Sequence, residues 1–224
     1  SGPAIDAALV AERLAAVQER IRAAGGTGVS VLPVTKTFPL SAVEAALAAG
    51  CAAVGENYAQ EVVHKASEVA LNDRLPVHFI GQLQSNKIKQ LADIVDVWQS
   101  VDRLSLLTEI AKRTTVSGAS VMVQVNVTGE EGKGGCTPAL VGELTRAALD
   151  LGLDGAGLMA VGPTNEDPIV TRGAFRMLRT LVNDHGLRHC SMGMTGDLEI
   201  AVEEGSTMVR VGSALFGKRP SSPR

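Results

Sequence analysis

The sequence predicts an α/β protein, specifically a (β/α)₈ barrel of the TIM type, and three observations lead to this prediction. The chain has 224 residues, of which 45% are hydrophobic, and that is enough for one sizeable core. Short runs rich in β-branched residues recur, and each is followed by a longer segment of helical periodicity. Apolar strands separated by helices indicate a parallel sheet covered by helices. About eight such units without a large insertion favour a closed barrel, although spacing alone leaves an open doubly wound sheet as the alternative.

The predicted elements follow this alternation along the whole chain. The first helix spans Ile5–Ala24 and ends at Gly25-Gly26, and the second begins with a capping box formed by Ser41 and Glu44. Strands are predicted at Val29–Thr35, Ala52–Gly55, Val77–Gly81, Val95–Ser100, Ser120–Thr128, Gly155–Val161, His189–Met192 and Met208–Gly212. The other helices are predicted at Ser41–Ala49, Asn57–Leu71, Lys87–Ala92, Arg103–Thr114, Pro138–Leu151, Val170–His185 and Leu198–Glu204, with a last turn at Ala214–Gly217.

Composition narrows the classes of protein that this chain belongs to. The 24 acidic and 21 basic residues leave a net charge of −3, which disfavours a broad nucleic-acid or membrane surface. No run of about 18 apolar residues occurs. Cys51, Cys136 and Cys190 are odd in number and widely spaced, so we expect no disulfide framework, no metal site and a reducing cytoplasm. We predict one domain over residues 1–224, with 1–3 as a cloning remnant and 218–224 as a tail.

Lys36 is the first candidate for chemistry. It follows the predicted strand that ends at Val34-Thr35, and the working face of such a barrel is the carboxyl end of its strands. A lysine buried there without a partner loses basicity, and a neutral amine is a competent Schiff-base nucleophile. The alternative is that Lys36 extends into solvent.

Two glycine-rich turns near the end of the chain predict a phosphate site. Gly193–Asp197 follows the seventh strand and Arg210–Ser213 completes the eighth, and each leads into a helix N-terminus. Barrels often bind phosphate in these loops, and closure places the eighth strand beside the first, next to Lys36. Each turn alone is equally well explained as an ordinary helix cap.

Arg210 is predicted near the end of the last strand. It would be within reach of the ring of a cofactor bound to Lys36 as a Schiff base. Because a guanidinium only donates hydrogen bonds, it keeps a pyridine nitrogen unprotonated and weakens the ring as an electron sink. The alternative is an ion pair with Glu199 or Glu203.

Several stretches together resemble the pyridoxal 5′-phosphate (PLP) homeostasis protein family, whose members are similar to the barrel domain of alanine racemase. The matching stretches are Val34–Thr37, Gly55–Glu61, His78–Lys87, Val123–Asn126 with Lys133, Gly157–Met159, Ser191–Thr195, Val209–Gly212 and Phe216-Gly217. Two departures are Val77, where the family often has Trp, and Thr195, where it often has Ser.

The resemblance implies a PLP enzyme fold of type III without the C-terminal β-domain, with PLP held as a Schiff base on Lys36. It implies that Ser191, Thr195, Gly212 and Ser213 bind the phosphate and that Arg210 faces the ring nitrogen. It also implies that the wall of the cofactor pocket includes Asn57, His78 and Met192.

Two functions compete for this site. The resemblance implies a carrier that buffers intracellular PLP (vitamin B6) and amino-acid homeostasis, acting as a monomer in transient contact with PLP-dependent apoenzymes. The alternative is a PLP-dependent amino-acid racemase, which needs a proton donor on each face of the substrate. Racemase relatives take a tyrosine from an added β-domain, whereas this chain stops at 224 and has only Tyr58. We therefore expect the carrier and assign no catalytic residue.

The loop Gly129–Gly135 carries a second lysine of interest, Lys133. It is read either as a solvated connection or as a loop amine that receives PLP transiently during transfer to a client enzyme. The role of Cys136, which follows the loop, is open.

Overall fold

The computed structural model describes residues 4–69, 74–114 and 119–218. Within these ranges eight parallel strands form a single sheet: Ser30–Pro33 (β1), Val54–Glu56 (β2), Val77–Phe79 (β3), Val95–Val101 (β4), Ser120–Gln124 (β5), Asp154–Met159 (β6), His189–Ser191 (β7) and Met208–Val211 (β8). The helices are Ala7–Ala23 (α1), Leu40–Ala48 (α2), Ala59–Glu68 (α3), Ser85–Leu91 (α4), Leu104–Arg113 (α5), Val141–Asp150 (α6), Pro168–Asp184 (α7), Leu198–Glu203 (α8) and Ser213–Phe216 (α9), and a 3₁₀ turn at Pro138–Leu140 precedes α6.

The sheet closes into a barrel. Its strand order runs β1-β8-β7-β6-β5-β4-β3-β2, and a parallel bridge between Val34 and Gly55 joins the two ends. There the Thr35 N–H donates to the Gly55 carbonyl at 3.0 Å. The predicted (β/α)₈ barrel is confirmed, and the open doubly wound alternative is wrong. Closure also sets Leu32 of β1 opposite Arg210 of β8.

The main core lies between the strands and the surrounding helices. On α1 the buried residues are Val10, Leu14, Val17 and Ile21, spaced so that they share one face of the helix. Asp6 caps α1 by accepting from the Ala8 and Leu9 N–H groups. No helix in the described ranges is long and apolar enough to cross a membrane.

The capping box predicted at Ser41 and Glu44 is wrong. The helix α2 already begins at Leu40 after Pro39, and no side chain caps it. Pro39 is the N-cap residue and has an extended backbone, so the first helical residue is Leu40, one before Ser41. The Ser41 hydroxyl instead accepts from the Ile5 N–H at 3.2 Å.

Six of the eight predicted strands run one or more residues too long at the carboxyl end of the barrel. Thr35, Gly81, Val161 and Gly212 were predicted within strands but lie in loops, and Asn57 was predicted in a helix that begins only at Ala59. These differences matter because the loops are where the candidate site forms. The end of the helix predicted over Asn57–Leu71, residues 1–3 and most of the predicted tail lie outside the described residues.

Candidate functional site

A cavity of about 390 Å³ opens at the carboxyl ends of the strands. It unites six of the predicted site residues, namely Lys36, Asn57, Thr195, Arg210, Gly212 and Ser213. The other lining residues, Val34, Ile80, Met159, Val161, Met194 and Gly196, are apolar or small. An apolar cleft of this size with a few convergent polar groups is typical of a site for a small ligand.

Lys36 enters this cavity from a tight turn after β1. The Phe38 N–H donates to the Thr35 carbonyl at 3.0 Å, so Lys36 and Thr37 are the central residues of a β-turn. Thr37 has φ +66°, an uncommon conformation for a β-branched residue. Lys36 is half-buried and lines the cavity together with Val34.

The two glycine-rich turns lie on the same cavity wall. Thr195 and Ser213 contribute hydroxyl groups there, one from each turn. A side chain on Gly212 would approach the Val34 carbonyl to 3.3 Å, so this residue lets β8 lie close to β1. The helices that follow have only six and four residues, so the helix dipole expected from the sequence is small. The hydrogen-bond donors that these two turns offer to an anion are therefore side-chain hydroxyls and backbone N–H groups.

Arg210 lines the cavity and is almost completely buried. Its Nη1 donates to the Ser191 hydroxyl and its Nη2 to the Ala160 carbonyl, both at 2.8 Å. Burial lowers the pKa of Arg210 to about 10, partly opposed by Asp197, so the group stays cationic at neutral pH. The alternative pairing with Glu199 or Glu203 is wrong, because these carboxylates bind Arg20 and Arg172 respectively.

A chain of hydrogen bonds continues from Arg210 across the barrel. The Ser191 hydroxyl donates to Gln99 Oε1 at 2.7 Å, and Gln99 Nε2 donates to His78 Nδ1 at 2.8 Å. With the Gln99 amide in this orientation its Nε2 can only donate, so Nδ1 of His78 accepts and the proton of the neutral imidazole is assigned to Nε2. Sequence reasoning missed Gln99, although a polar residue within a strand predicted to be buried was the available signal.

Three predicted site residues do not line the cavity. Ser191 and His78 instead belong to the hydrogen-bond chain that starts at Arg210, in which the Ser191 hydroxyl accepts from Arg210. Met192 is fully buried in the outer core, with its sulfur 3.6 Å from that of Cys190. Among the predicted phosphate-binding residues, the two with hydroxyl groups that line the cavity are therefore Thr195 and Ser213.

His78 predicts a specific dependence of stability on pH. Burial lowers its pKa from 6.5 to about 4, with a smaller effect from His189. Between pH 7 and 4 the unfolded chain takes up a proton here and the folded chain does not. The free energy of unfolding therefore decreases as the pH is lowered from 7 to 4. This group accounts for at most about 3 kcal/mol of the decrease.

Urea unfolding at pH 7 and pH 5 measures this effect. We expect His78→Asn to remove part of the loss, because its amide oxygen still accepts from Gln99 but does not titrate. The exposed His64→Gln should behave like the wild type. Equal losses in the wild type and in His78→Asn would refute the assignment.

Lys133 lies beside the cavity rim rather than in it. Its Nζ donates to Glu130 Oε1 at 3.0 Å and to the Gly162 carbonyl, next to the lining residue Val161. Hydrogen bonds from Thr164 and Lys133 lower the pKa of Glu130 to about 2. The loop is thus tied to the segment after β6, and the transient role of Lys133 stays a prediction.

Comparison with known proteins places the chain in a family. Residues 5–220 match the family described as alanine racemase, N-terminal domain. The pyridoxal phosphate homeostasis protein of Pseudomonas aeruginosa is 42% identical over 223 residues, covering 94% of this chain and 96% of that protein. The protein of the same name from Aquifex aeolicus is 40% identical over 224 residues, covering 93% and 97%.

Solved structures agree with these relatives. PipY of Synechococcus elongatus with PLP bound superposes with a TM-score of 0.79 at 30% identity, covering 93% of this chain and 100% of PipY. An alanine racemase of Clostridium difficile, with a TM-score of 0.68 at 15% identity and coverage of 94% and 58%, shares the fold. The resemblance seen in the sequence is confirmed: this chain belongs to the family of pyridoxal phosphate homeostasis proteins and has the fold of the alanine racemase N-terminal domain.

Proposed function

We propose that this protein binds PLP as a Schiff base on Lys36 and buffers the cytoplasmic supply of the cofactor. One observation carries the proposal. The cavity brings Lys36, from the turn after β1, together with Thr195, Gly212 and Ser213 from the loops after β7 and β8. The homeostasis proteins of the family, and the PLP-bound structure of PipY, support PLP as the ligand.

The residues at the cavity suit the functional groups of this cofactor. PLP supplies an aldehyde, a phosphate and a pyridine ring when it is bound. Lys36 would hold the cofactor through a C=N bond between its amine nitrogen and the aldehyde carbon, with both amine hydrogens and the aldehyde oxygen leaving as one water. Thr195 and Ser213 line the cavity and would donate hydrogen bonds to the phosphate, and Asn57 and Met159 form part of the wall. The buried Arg210 guanidinium offers only donors, so it keeps a nearby ring nitrogen unprotonated.

The same residues give little support for racemization. Two-base racemization needs a proton donor and acceptor on each face of the substrate. Among the described cavity-lining residues, the ionisable ones are Lys36 and Arg210, and Arg210 stays protonated at neutral pH. Tyr58 lines a neighbouring groove and is 51% exposed. We therefore propose a carrier, acting as a monomer that contacts PLP-dependent apoenzymes transiently and thereby supports amino-acid homeostasis.

A spectral titration tests the role of Lys36. We expect purified wild-type protein to develop the yellow Schiff-base absorption when it is titrated with PLP. Lys36→Ala should lose this absorption completely, because the amine that forms the bond is gone. Lys89→Ala, at an exposed lysine on α4, is the matched control and should titrate like the wild type. Undiminished absorption in Lys36→Ala would contradict the proposal.

A second assay separates the carrier from the enzyme. PLP-loaded wild-type protein is incubated with L-alanine and then with other single L-amino acids, and the products are resolved by chiral chromatography. The carrier proposal predicts no inversion above that of free PLP at the same concentration. Inversion that depends on Lys36 would replace the carrier with a racemase.

A further inference from the structure

We infer that Glu61 is a positioning residue for Lys36, and that it acts by holding the turn on which Lys36 is presented to the cavity. The inference rests on the proposed role of Lys36 and adds a residue that does not line the cavity itself. Glu61 lies in the first turn of α3, whereas Lys36 follows β1. The two are connected through the backbone of Thr37.

The first step of the argument is the conformation of the turn. Thr35–Phe38 is a β-turn, and Thr37 at its third position has φ +66°. This position with positive φ favours glycine or asparagine, because a Cβ is crowded there. A β-branched threonine persists in this conformation only if the surrounding structure holds it.

The contact that holds it comes from Glu61. Its Oε2 accepts the Thr37 N–H at 2.8 Å, a hydrogen bond strengthened by the carboxylate charge. The Glu61 side chain is about a third exposed, and its Oε2 also lies 3.7 Å from Nζ of the buried Lys65. Lys65 keeps its direct ion pair with Glu56 when Glu61 is replaced, so no buried charge is left without a partner. Glu61 is therefore suited to a test that leaves the fold intact.

The other side of the turn is tied to the same helix. Lys65, one helical turn after Glu61, donates from Nζ to the Thr35 carbonyl at 2.8 Å and to the carboxylate of Glu56. The Thr35 hydroxyl donates to the same Glu56 oxygen at 2.7 Å. Both neighbours of Lys36 are thus anchored to α3, one by Glu61 and the other by Lys65.

Anchoring on both sides restricts where the Lys36 amine can lie before a ligand arrives. A group that is already oriented loses less conformational freedom on bond formation, so binding that includes this bond becomes tighter. Binding that uses only the phosphate contacts of Thr195 and Ser213 does not benefit. A positioning role and a purely structural role therefore make different predictions.

The test compares two ligands that share the phosphate. We expect Glu61→Ala to raise the Kd for PLP by about tenfold, equivalent to about 1.4 kcal/mol. Its Kd for pyridoxine 5′-phosphate, which has an alcohol in place of the aldehyde, should stay within about twofold of the wild-type value. Glu68→Ala, on the exposed surface of the same helix, is the matched control and should leave both constants unchanged.

Two further variants and one measurement without ligand sharpen the test. Glu61→Gln keeps an acceptor for the Thr37 N–H and should lose less PLP affinity than Glu61→Ala. Thr37→Gly removes the crowding in the turn, so adding it to Glu61→Ala should restore part of the affinity. In cofactor-free protein, hydrogen exchange at the Thr37 amide should be faster in Glu61→Ala than in Glu68→Ala.

Unchanged PLP affinity in Glu61→Ala would overturn the inference, and so would an equal loss for PLP and pyridoxine 5′-phosphate. Either result leaves the proposed function standing if Lys36→Ala still abolishes the Schiff-base absorption. Conversely, Schiff-base absorption that survives Lys36→Ala would overturn the proposed function, and the inference about Glu61 with it.

Discussion

Replacing Lys65 with Met should lower the free energy of unfolding by about 3–5 kcal/mol, because it leaves the buried carboxylate of Glu56 without its cation. The side chains of Lys65 and Glu56 are 5% and 1% exposed and form a direct ion pair. Methionine approximates the length of lysine, so the packing changes little while the charge is lost. Urea unfolding monitored by circular dichroism at pH 7 measures the effect.

A double variant and a pH series test this explanation. Burial already raises the pKa of Glu56, with Lys65 opposing, so removing Lys65 should raise it further. A raised folded-state pKa favours the protonated carboxyl, so the defect of Lys65→Met should shrink as the pH falls toward 5. Adding Glu56→Gln should recover a large part of the stability, and the exposed Lys89→Met should change nothing measurable. A stability loss in Lys65→Met below about 1 kcal/mol at pH 7 would show that the pair is not essential to the fold.

The second large effect is expected at the phosphate site. Ser213→Asp should raise the Kd for PLP about thirtyfold, equivalent to about 2 kcal/mol, because a carboxylate then lies beside the cofactor phosphate. Ser213 is exposed at the cavity rim, so the substitution itself costs the fold little. A fluorescence or absorbance titration with PLP measures the change.

Two controls isolate the charge from the loss of the hydroxyl. Ser213→Asn has nearly the shape of Ser213→Asp without its charge and should weaken binding far less. Affinity for pyridoxal, which has the aldehyde but no phosphate, should be similar in both variants. Raising the ionic strength should reduce the difference between them, since salt screens the repulsion. Equal PLP affinity in Ser213→Asp and Ser213→Asn would mean that the phosphate lies elsewhere.

The barrel was predictable because each strand and helix carries its own periodicity. Chain order then determines which strand ends meet, and closure of β8 on β1 follows from a ring of eight parallel strands. This is why Lys36, Gly212 and Ser213, widely separated in sequence, were expected to share a cavity. Their presence around one cavity depends on topology more than on any side-chain contact.

The orientation of side chains on short strands was much harder to predict. β3 and β7 have three residues each, too few for an alternating pattern to show which residues face the interior. Ser191 and His78 accordingly lie in the hydrogen-bond chain through Gln99 and do not line the cavity, and Met192 lies in the hydrophobic core. The ion pair of Lys65 with Glu56 was missed because it joins α3 to β2 through a tertiary contact that helical spacing does not reveal.

Reduction of the PLP-loaded protein with borohydride, followed by proteolysis and peptide mass mapping, tests the central claim most directly. Reduction converts the C=N bond to a stable C–N bond, so the position of the adduct records which amine held the cofactor. The account predicts one phosphopyridoxyl group per chain, on the peptide that contains Lys36. An adduct that forms mainly on another lysine while Lys36 stays unmodified would contradict it.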